Sequence, residues 1–199
     1  VIDMPATMVE WSQTVLEALL KPAARVQLIL WGAFVYSQLS YVGVVWFVTQ
    51  KEGVEPVTLP GAFIVAASVA AFIAGVLGLL YRRKKFGDVD LRRSLRELDP
   101  DDPKHLEAKD NKPSSEAFRA QFASLSSADK RLYLLMRKTL ITRIILLALF
   151  EFIAVAGMVL GFAGKELSLT IPFVVAALAL TATVFPKSKA LVARARQML

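Results

Sequence analysis

Hydrophobic residues fall into four long blocks that are separated by polar and charged segments. The blocks cover residues 26–48, 59–81, 144–163 and 167–185, and only the third contains a charged residue, Glu151. A helix needs about 20 apolar residues to cross a hydrocarbon core about 30 Å thick, because each residue advances about 1.5 Å. The pattern therefore predicts an all-α, polytopic membrane protein with four transmembrane helices.

Lysine and arginine residues predict the orientation of these helices. The two short connections contain only Lys51 and Lys165, and the other 22 of the 24 basic residues flank the spans elsewhere. Because positively charged loops resist translocation, we expect both termini and the long loop to be cytoplasmic. The net charge of +7 is explained in this way, so no nucleic-acid partner is expected. A compact, cysteine-free chain of this design favours a bacterial inner membrane.

The pattern divides the chain into five segments. They are an amphipathic interfacial helix (1–24), a first transmembrane hairpin (25–81), a basic cytoplasmic loop (82–142), a second hairpin (143–186) and a basic cytoplasmic tail (187–199). In the first segment Met8, Trp11, Val15 and Leu19 recur at helical spacing, and Pro22 predicts a bend into the membrane. This apolar face fits either the headgroup region or a partner protein.

The long loop changes character along its length. A basic stretch comes first, a polar linker with several prolines follows, and apolar residues then return at helical intervals. The run Ser126-Ser127-Ala128-Asp129 predicts an N-cap with an acid in the first turn. A helix that begins there can run without a break into the third span.

Glu151 is the residue most informative about function. It lies about eight residues, or about 12 Å, inside the third span as counted from Arg143. An ionised carboxylate at that depth costs at least ~2.5 kcal/mol, so we expect Glu151 to face other helices, accept hydrogen bonds and be protonated near neutral pH. It is either a proton or cation binding site or a neutral group that hydrogen-bonds helices together.

The first span offers polar partners for this carboxyl group. Ser37, Gln38, Ser40 and Tyr41 lie near its middle, and the Gln38 amide can both donate to and accept from a carboxyl group. We therefore predict a contact between Gln38 and Glu151, with Tyr41 as a further ion-binding candidate. The alternative is that Gln38 pairs with Tyr41, with backbone or with an identical chain.

The second span carries small residues at four-residue spacing. Two neighbouring ridges consist of alanine and glycine, and they are Ala67, Ala71 and Gly75 on one and Ala70, Ala74 and Gly78 on the other. Such faces allow helix backbones to approach closely inside lipid. The pattern predicts tight helix packing, either within this chain or with another.

Around Glu151 the sequence is Leu149-Phe-Glu-Phe-Ile-Ala154-Val-Ala-Gly157, a carboxylate followed by small residues and a glycine. With the alanine-rich span and basic loop before it, the stretch 60–164 resembles the hairpin of the ATP synthase c subunit, the proteolipid. That resemblance implies that Glu151 occupies the ion-carrying position. The loop here is about 60 residues long instead of a tight turn, and two further helices flank the hairpin. The chain also resembles uncharacterised bacterial four-span membrane proteins, which implies no particular activity.

Basic residues cluster just after the second span. They are Arg82, Arg83, Lys84, Lys85, Arg92, Arg93 and Arg96. Near an anionic membrane each cation contributes about 1 kcal/mol, so the cluster can bind lipid headgroups or an acidic partner. The alternative is that it only fixes the topology of the chain.

The sequence does not favour catalysis. Cysteine is absent, His105 is the one histidine, and there is no phosphate-binding loop or nucleophile elbow. We expect no enzyme activity, no metal and no cofactor. The leading hypothesis is a non-enzymatic membrane subunit that packs against other membrane proteins, or copies of itself, through its alanine-rich face. The alternative is a proteolipid-like protein that binds or translocates protons or sodium ions at Glu151.

Overall fold

The described part of the chain is mostly helical and contains no strand. The structure, a computed structural model, describes residues 6–51, 57–100, 102 and 113–199, and the side chains of 6–14 and 113–115 lie outside that description. The helices are α1 (Ala6–Thr49), α2 (Gly61–Phe86), α3 (Asp88–Glu97), α4 (Pro113–Ala123), α5 (Ser127–Gly164), α6 (Ile171–Thr183) and α7 (Ser188–Arg196). His105 and the apolar side chains predicted at Met8 and Trp11 are outside the description.

Four regions of these helices are long and apolar enough to cross a membrane. They are Val15–Thr49, Gly61–Lys85, Ser127–Gly164 and Leu167–Arg196. The four predicted blocks fall within or almost wholly overlap them, which confirms a helical chain with four stretches long and apolar enough to cross a membrane. Pro22 lies inside α1, so the predicted surface helix and the first span form one continuous helix. A proline there removes one backbone hydrogen bond without ending the helix.

The fourth block is organised differently from the other three. Its first residues form a 3-10 turn, Leu167–Leu169, and only Ile171–Thr183 forms the α-helix α6, with Pro172 in its first turn. Proline is favoured at that position because its missing N–H needs no partner there. At about 1.5 Å per residue, α6 is about 20 Å long, which is shorter than the helix predicted from the length of the block.

The chain divides into two compact units, and the first consists of 1–26, 87–140 and 187–199. Its core comes from α3, α4, the first part of α5 and α7, together with Leu16 of α1. The most deeply buried side chains are Leu16, Leu91, Leu95, Phe122, Leu132, Leu135, Met136 and Ala195. Phe118, Phe122 and Tyr133 form an aromatic cluster with ring centroids 5.6–5.8 Å apart. This unit therefore has a hydrophobic core of its own.

Helix α5 begins as the sequence predicts. Ser126 Oγ accepts a hydrogen bond from the Asp129 backbone N–H at 3.1 Å and lies 2.8 Å from Asp129 Oδ2, so the predicted N-cap is confirmed. The helix then continues without interruption to Gly164, over 38 residues. Its first part belongs to the first unit and the rest, from Ile141, to the second.

The second unit consists of 27–86 and 141–186 and contains the hydrophobic spans. Its core is built from α2, α5 and α6 around Leu146, Phe150 and Ala177, all of which are fully buried. The outward faces remain apolar. Among the side chains exposed there are Ile29, Tyr36, Phe47, Val65, Phe72 and Leu80. An apolar surface of this extent suits a lipid environment.

The small-residue face of α2 packs inside this unit. Ala71, Ala74, Gly75 and Gly78 are buried, and a methyl group added at Gly78 would collide with the Phe150 ring, whose Cζ would lie 3.1 Å away. At Gly75 the nearest atoms, on Leu180 and Ile153, are at ordinary contact distances of 3.4 and 3.6 Å. This part of the face is therefore occupied by α5 and α6 of the same chain, whereas Ala67 and Ala70 are only half-buried.

Candidate functional site

The site is centred on Glu151 of α5, facing the middle of the first span. Tyr41 Oη donates a hydrogen bond to Glu151 Oε1 at 2.5 Å, and Ser37 Oγ lies 2.6 Å from the same oxygen. Ser37 Oγ also lies 3.0 Å from Tyr41 Oη. Residues 37 and 41 are four apart, so both project from one face of α1 toward α5. Three oxygen-bearing side chains thus meet at one point.

The two carboxyl oxygens of Glu151 have different surroundings. Whereas Oε1 receives two hydroxyl groups, Oε2 is buried and has no hydrogen-bond partner among the described residues. Burying a charged oxygen without a partner is far more costly than burying a neutral one. No lysine or arginine is paired with Glu151 in this part of the chain. Among the described residues, Glu151 therefore has one carboxyl oxygen with two hydroxyl partners and one without a partner.

Gln38 does not contact Glu151 but pairs with α6. Its Nε2 donates to Thr181 Oγ1 at 3.0 Å, and both side chains are fully buried. Trp31 Nε1 donates to the Thr181 backbone carbonyl at 3.0 Å. Position 38 is rotated by about 100° from Ser37, and its amide is directed toward Thr181 of α6 instead of Glu151. The predicted Gln38 to Glu151 contact is wrong for this reason.

The predicted basic residues have solvent-exposed or partly exposed positions. Arg92, Arg93 and Arg96 lie on the exposed side of α3, where Arg93 Nε pairs with Glu97 Oε1 at 2.6 Å. This hydrogen bond with Glu97 raises the pKa of Arg93 above its usual value. Arg82 to Lys85 form the last turns of α2 in the second unit. Lipid or partner binding by these residues stays a prediction.

Ser37 was one of the four polar candidates in the first span, and its spacing to Tyr41 is the signal that groups these two residues on one face. Two further buried polar residues were not among the predicted ones. Thr181 is one of the few hydroxyl residues of the fourth block. Arg143 was used only as a boundary marker, yet its guanidinium is 7% exposed and bonds to Gln27 Oε1. Among the described residues no group of three or more His, Cys, Asp or Glu side chains could hold a metal ion.

No family model, curated protein or solved structure matches this chain. The resemblance of the Glu151 helix to the c subunit is therefore untested by these comparisons.

Proposed function

We propose that this protein is a non-enzymatic integral membrane protein that binds and releases a proton at Glu151. The observation that carries the proposal is the asymmetry of its carboxyl group, with two hydroxyl groups at Oε1 and a buried, unpartnered Oε2. A carboxyl group can bind and release a proton without a cofactor. Among the described residues no lysine or arginine is paired with Glu151.

A proton fits this site better than a sodium ion. Hard cations in proteins take about six oxygen ligands, whereas three side chains supply oxygen here. Both hydroxyl groups lie within hydrogen-bond distance of the same carboxyl oxygen. The resemblance to the c subunit implies an ion-carrying position for Glu151 but does not distinguish a proton from a sodium ion.

Carbodiimide labelling tests the proposal directly. An apolar carbodiimide enters lipid and reacts with protonated carboxyl groups, so modification of Glu151 should fall as the pH is raised from about 5 to about 9. The protein would be labelled in its own membrane and the modified peptide identified by mass spectrometry. Sodium at constant pH should give no protection.

Glu166 provides the matched control because it is an exposed carboxyl group in the turn after α5. It should react with a water-soluble carbodiimide and escape the apolar one. The Glu151→Gln variant should lose the pH-dependent product and keep its folded structure. Labelling of Glu151 that is absent or constant across the pH range would contradict proton exchange and indicate a purely structural carboxyl group.

We infer that the first unit is cytoplasmic and that the membrane is a bacterial inner membrane. The positive-inside rule supports this, because most basic residues lie outside the two short connections. The chain has no cysteine, so single cysteines can be labelled without background. An impermeant maleimide applied to intact cells should react with Ser168→Cys, in the exposed turn before α6. It should reach Val89→Cys, on exposed α3, only after permeabilisation, and the reverse result would invert the topology.

A second candidate function is that of an accessory membrane subunit. It is favoured by the first unit, which has its own core and exposes Val89 on α3, 84% accessible, beside exposed Arg92 and Arg93. An apolar residue among cations suits an acidic protein partner with an apolar contact. The native mass of the gently extracted complex would test the accessory-subunit function. A partner protein that is present with the wild type and lost with Val89→Asp would support it. An unchanged mass would contradict this contact, and a large homo-oligomer would favour the proteolipid-like arrangement.

A further inference from the structure

The second unit contains a buried cation whose chemistry the proton site does not use. Arg143 is 7% exposed, and its Nη1 donates a hydrogen bond to Gln27 Oε1. Its guanidinium carbon lies 5.7 Å from the centre of the Phe86 ring. These three residues come from α5, α1 and α2, so three helices of one unit hold the guanidinium in place.

The Arg143 guanidinium has no anionic partner within the described structure. No carboxylate is paired with it there, and its neighbours are a neutral amide and an aromatic ring. Arginine stays protonated in proteins, so it cannot relieve its burial by losing charge. A buried charge without a counter-charge is strongly destabilising. An anion from outside the chain would supply the missing counter-charge.

The guanidinium also keeps surface through which an anion can reach it. Among the described residues, the buried polar side-chain atoms without a partner are Arg131 Nε and Glu151 Oε2. Arg143 Nε and Nη2 make no hydrogen bond in the same part of the chain, so they must retain accessible surface. Two neighbouring N–H groups of a guanidinium match two oxygens of one phosphate group.

The position of Arg143 identifies the kind of anion. It lies about 12 Å along α5 from Glu151, at the end of the unit where α2 finishes with Arg82, Arg83, Lys84 and Lys85. These cations attract anions to that end, which corresponds to the headgroup level of a bilayer. We propose that Arg143, oriented by Gln27 and Phe86, binds a phosphate group. The source is either a phospholipid headgroup or a free phosphate anion.

Native mass spectrometry of the full-length protein, extracted in a maltoside detergent, tests this site. The protein would be titrated with phosphatidylglycerol, with inorganic phosphate and with diacylglycerol, which lacks phosphate. The wild type should retain one phosphatidylglycerol molecule if the source is lipid, or one phosphate if the source is free anion, and no diacylglycerol. Retention of neither phosphate-bearing ligand would overturn the proposal.

Two variants locate the binding. Arg143→Gln should weaken retention about tenfold or more, because it removes a charged pair of hydrogen bonds. Gln27→Glu keeps the arginine and supplies an internal carboxylate in contact with it. It should therefore abolish binding while raising the thermal unfolding temperature. The second variant keeps the test decisive if the first fails to fold.

Arg137→Gln is the matched control, since it removes one exposed positive charge from the same helix. It should retain the ligand within about twofold of the wild type, because an exposed cation contributes little. Binding by Gln27→Glu that equals the wild type would overturn the proposal. The proposal would also be overturned if Arg137→Gln lost as much ligand retention as Arg143→Gln, because binding would then depend only on general charge attraction.

Discussion

Helix α5 carries two ionisable side chains in the second unit, Glu151 near the middle of the unit and Arg143 near one end. Their surroundings differ. Glu151 meets two hydroxyl groups and no fixed counter-charge in the described chain. Arg143 meets an amide oxygen and an aromatic ring, again without a counter-charge. The carboxyl group can become neutral by binding a proton, whereas the guanidinium cannot become neutral by losing one.

This difference explains what each location requires. A group that can neutralise itself is tolerated in apolar surroundings with only neutral donors around it. A group with a permanent charge is stabilised by an anion, and anions are abundant at the headgroup level of a membrane. The proposals for the two residues therefore differ because their acid–base chemistry differs.

The largest expected effect comes from placing a permanent cation in the middle of the span. Glu151→Lys should lower the free energy of unfolding by about 3 kcal/mol or more, since lysine meets only hydroxyl groups there. Folded yield after extraction and thermal unfolding by circular dichroism measure the loss. Glu166→Lys, in an exposed turn, should change stability by less than about 0.5 kcal/mol. A Glu151→Lys protein as stable as this control would remove the distinction between the two locations.

A smaller effect is expected at the neutral polar pair beside the Glu151 site. Thr181→Val leaves the buried Gln38 amide without its partner and should cost about 1–3 kcal/mol. Because neither residue titrates, the loss should be the same at acidic and alkaline pH. Thr183→Val is the control, since Thr183 is exposed and bonds only to the Leu180 carbonyl of its own helix. A loss that varies with pH would mean that this pair is coupled to Glu151.

The effect that is smallest at acidic pH, and most sensitive to pH, is expected for Tyr41→Phe. Removing the hydroxyl donor should cost about 0.5–1.5 kcal/mol where Glu151 is protonated and about twice that where it is ionised, because a charged acceptor binds a donor more strongly. Unfolding measured at several pH values would give both figures.

Tyr36→Phe is the control for this variant. Tyr36 lies on the same helix but is 76% exposed, so its substitution should have almost no effect at any pH. A cost of Tyr41→Phe that does not change with pH would indicate a carboxyl group that stays in one protonation state.

The sequence predicts the parts of this fold that depend on local pattern. The sequence alone predicts the four apolar blocks, the Ser126 cap and the continuous helix α5. The predicted partner of Glu151 was wrong because the first span is apolar on nearly every side. Its pattern therefore leaves the rotation of α1 about its own axis undefined, and Ser37, Gln38 and Tyr41 stay equivalent. Only packing against α5 and α6 distinguishes them.

The fourth block shows the same limit. Its hydropathy is continuous from residue 167 to residue 185, yet the structure breaks it into a turn and the shorter helix α6. Thr170 Oγ1 donates to the Gly157 carbonyl at 3.1 Å, so the start of α6 is fixed by a contact with a distant part of the chain. Hydropathy does not contain that information.

The close approach of helices at glycine has an evolutionary consequence. A side chain at Gly78 would collide with Phe150, and one at Gly161 would collide with Thr170. Descendants of this sequence that keep the same packing are therefore expected to keep glycine at both positions, while exposed apolar residues of the second unit can change among apolar types. A search for distant relatives should weight these glycines, together with Glu151 and Thr170, far above overall similarity.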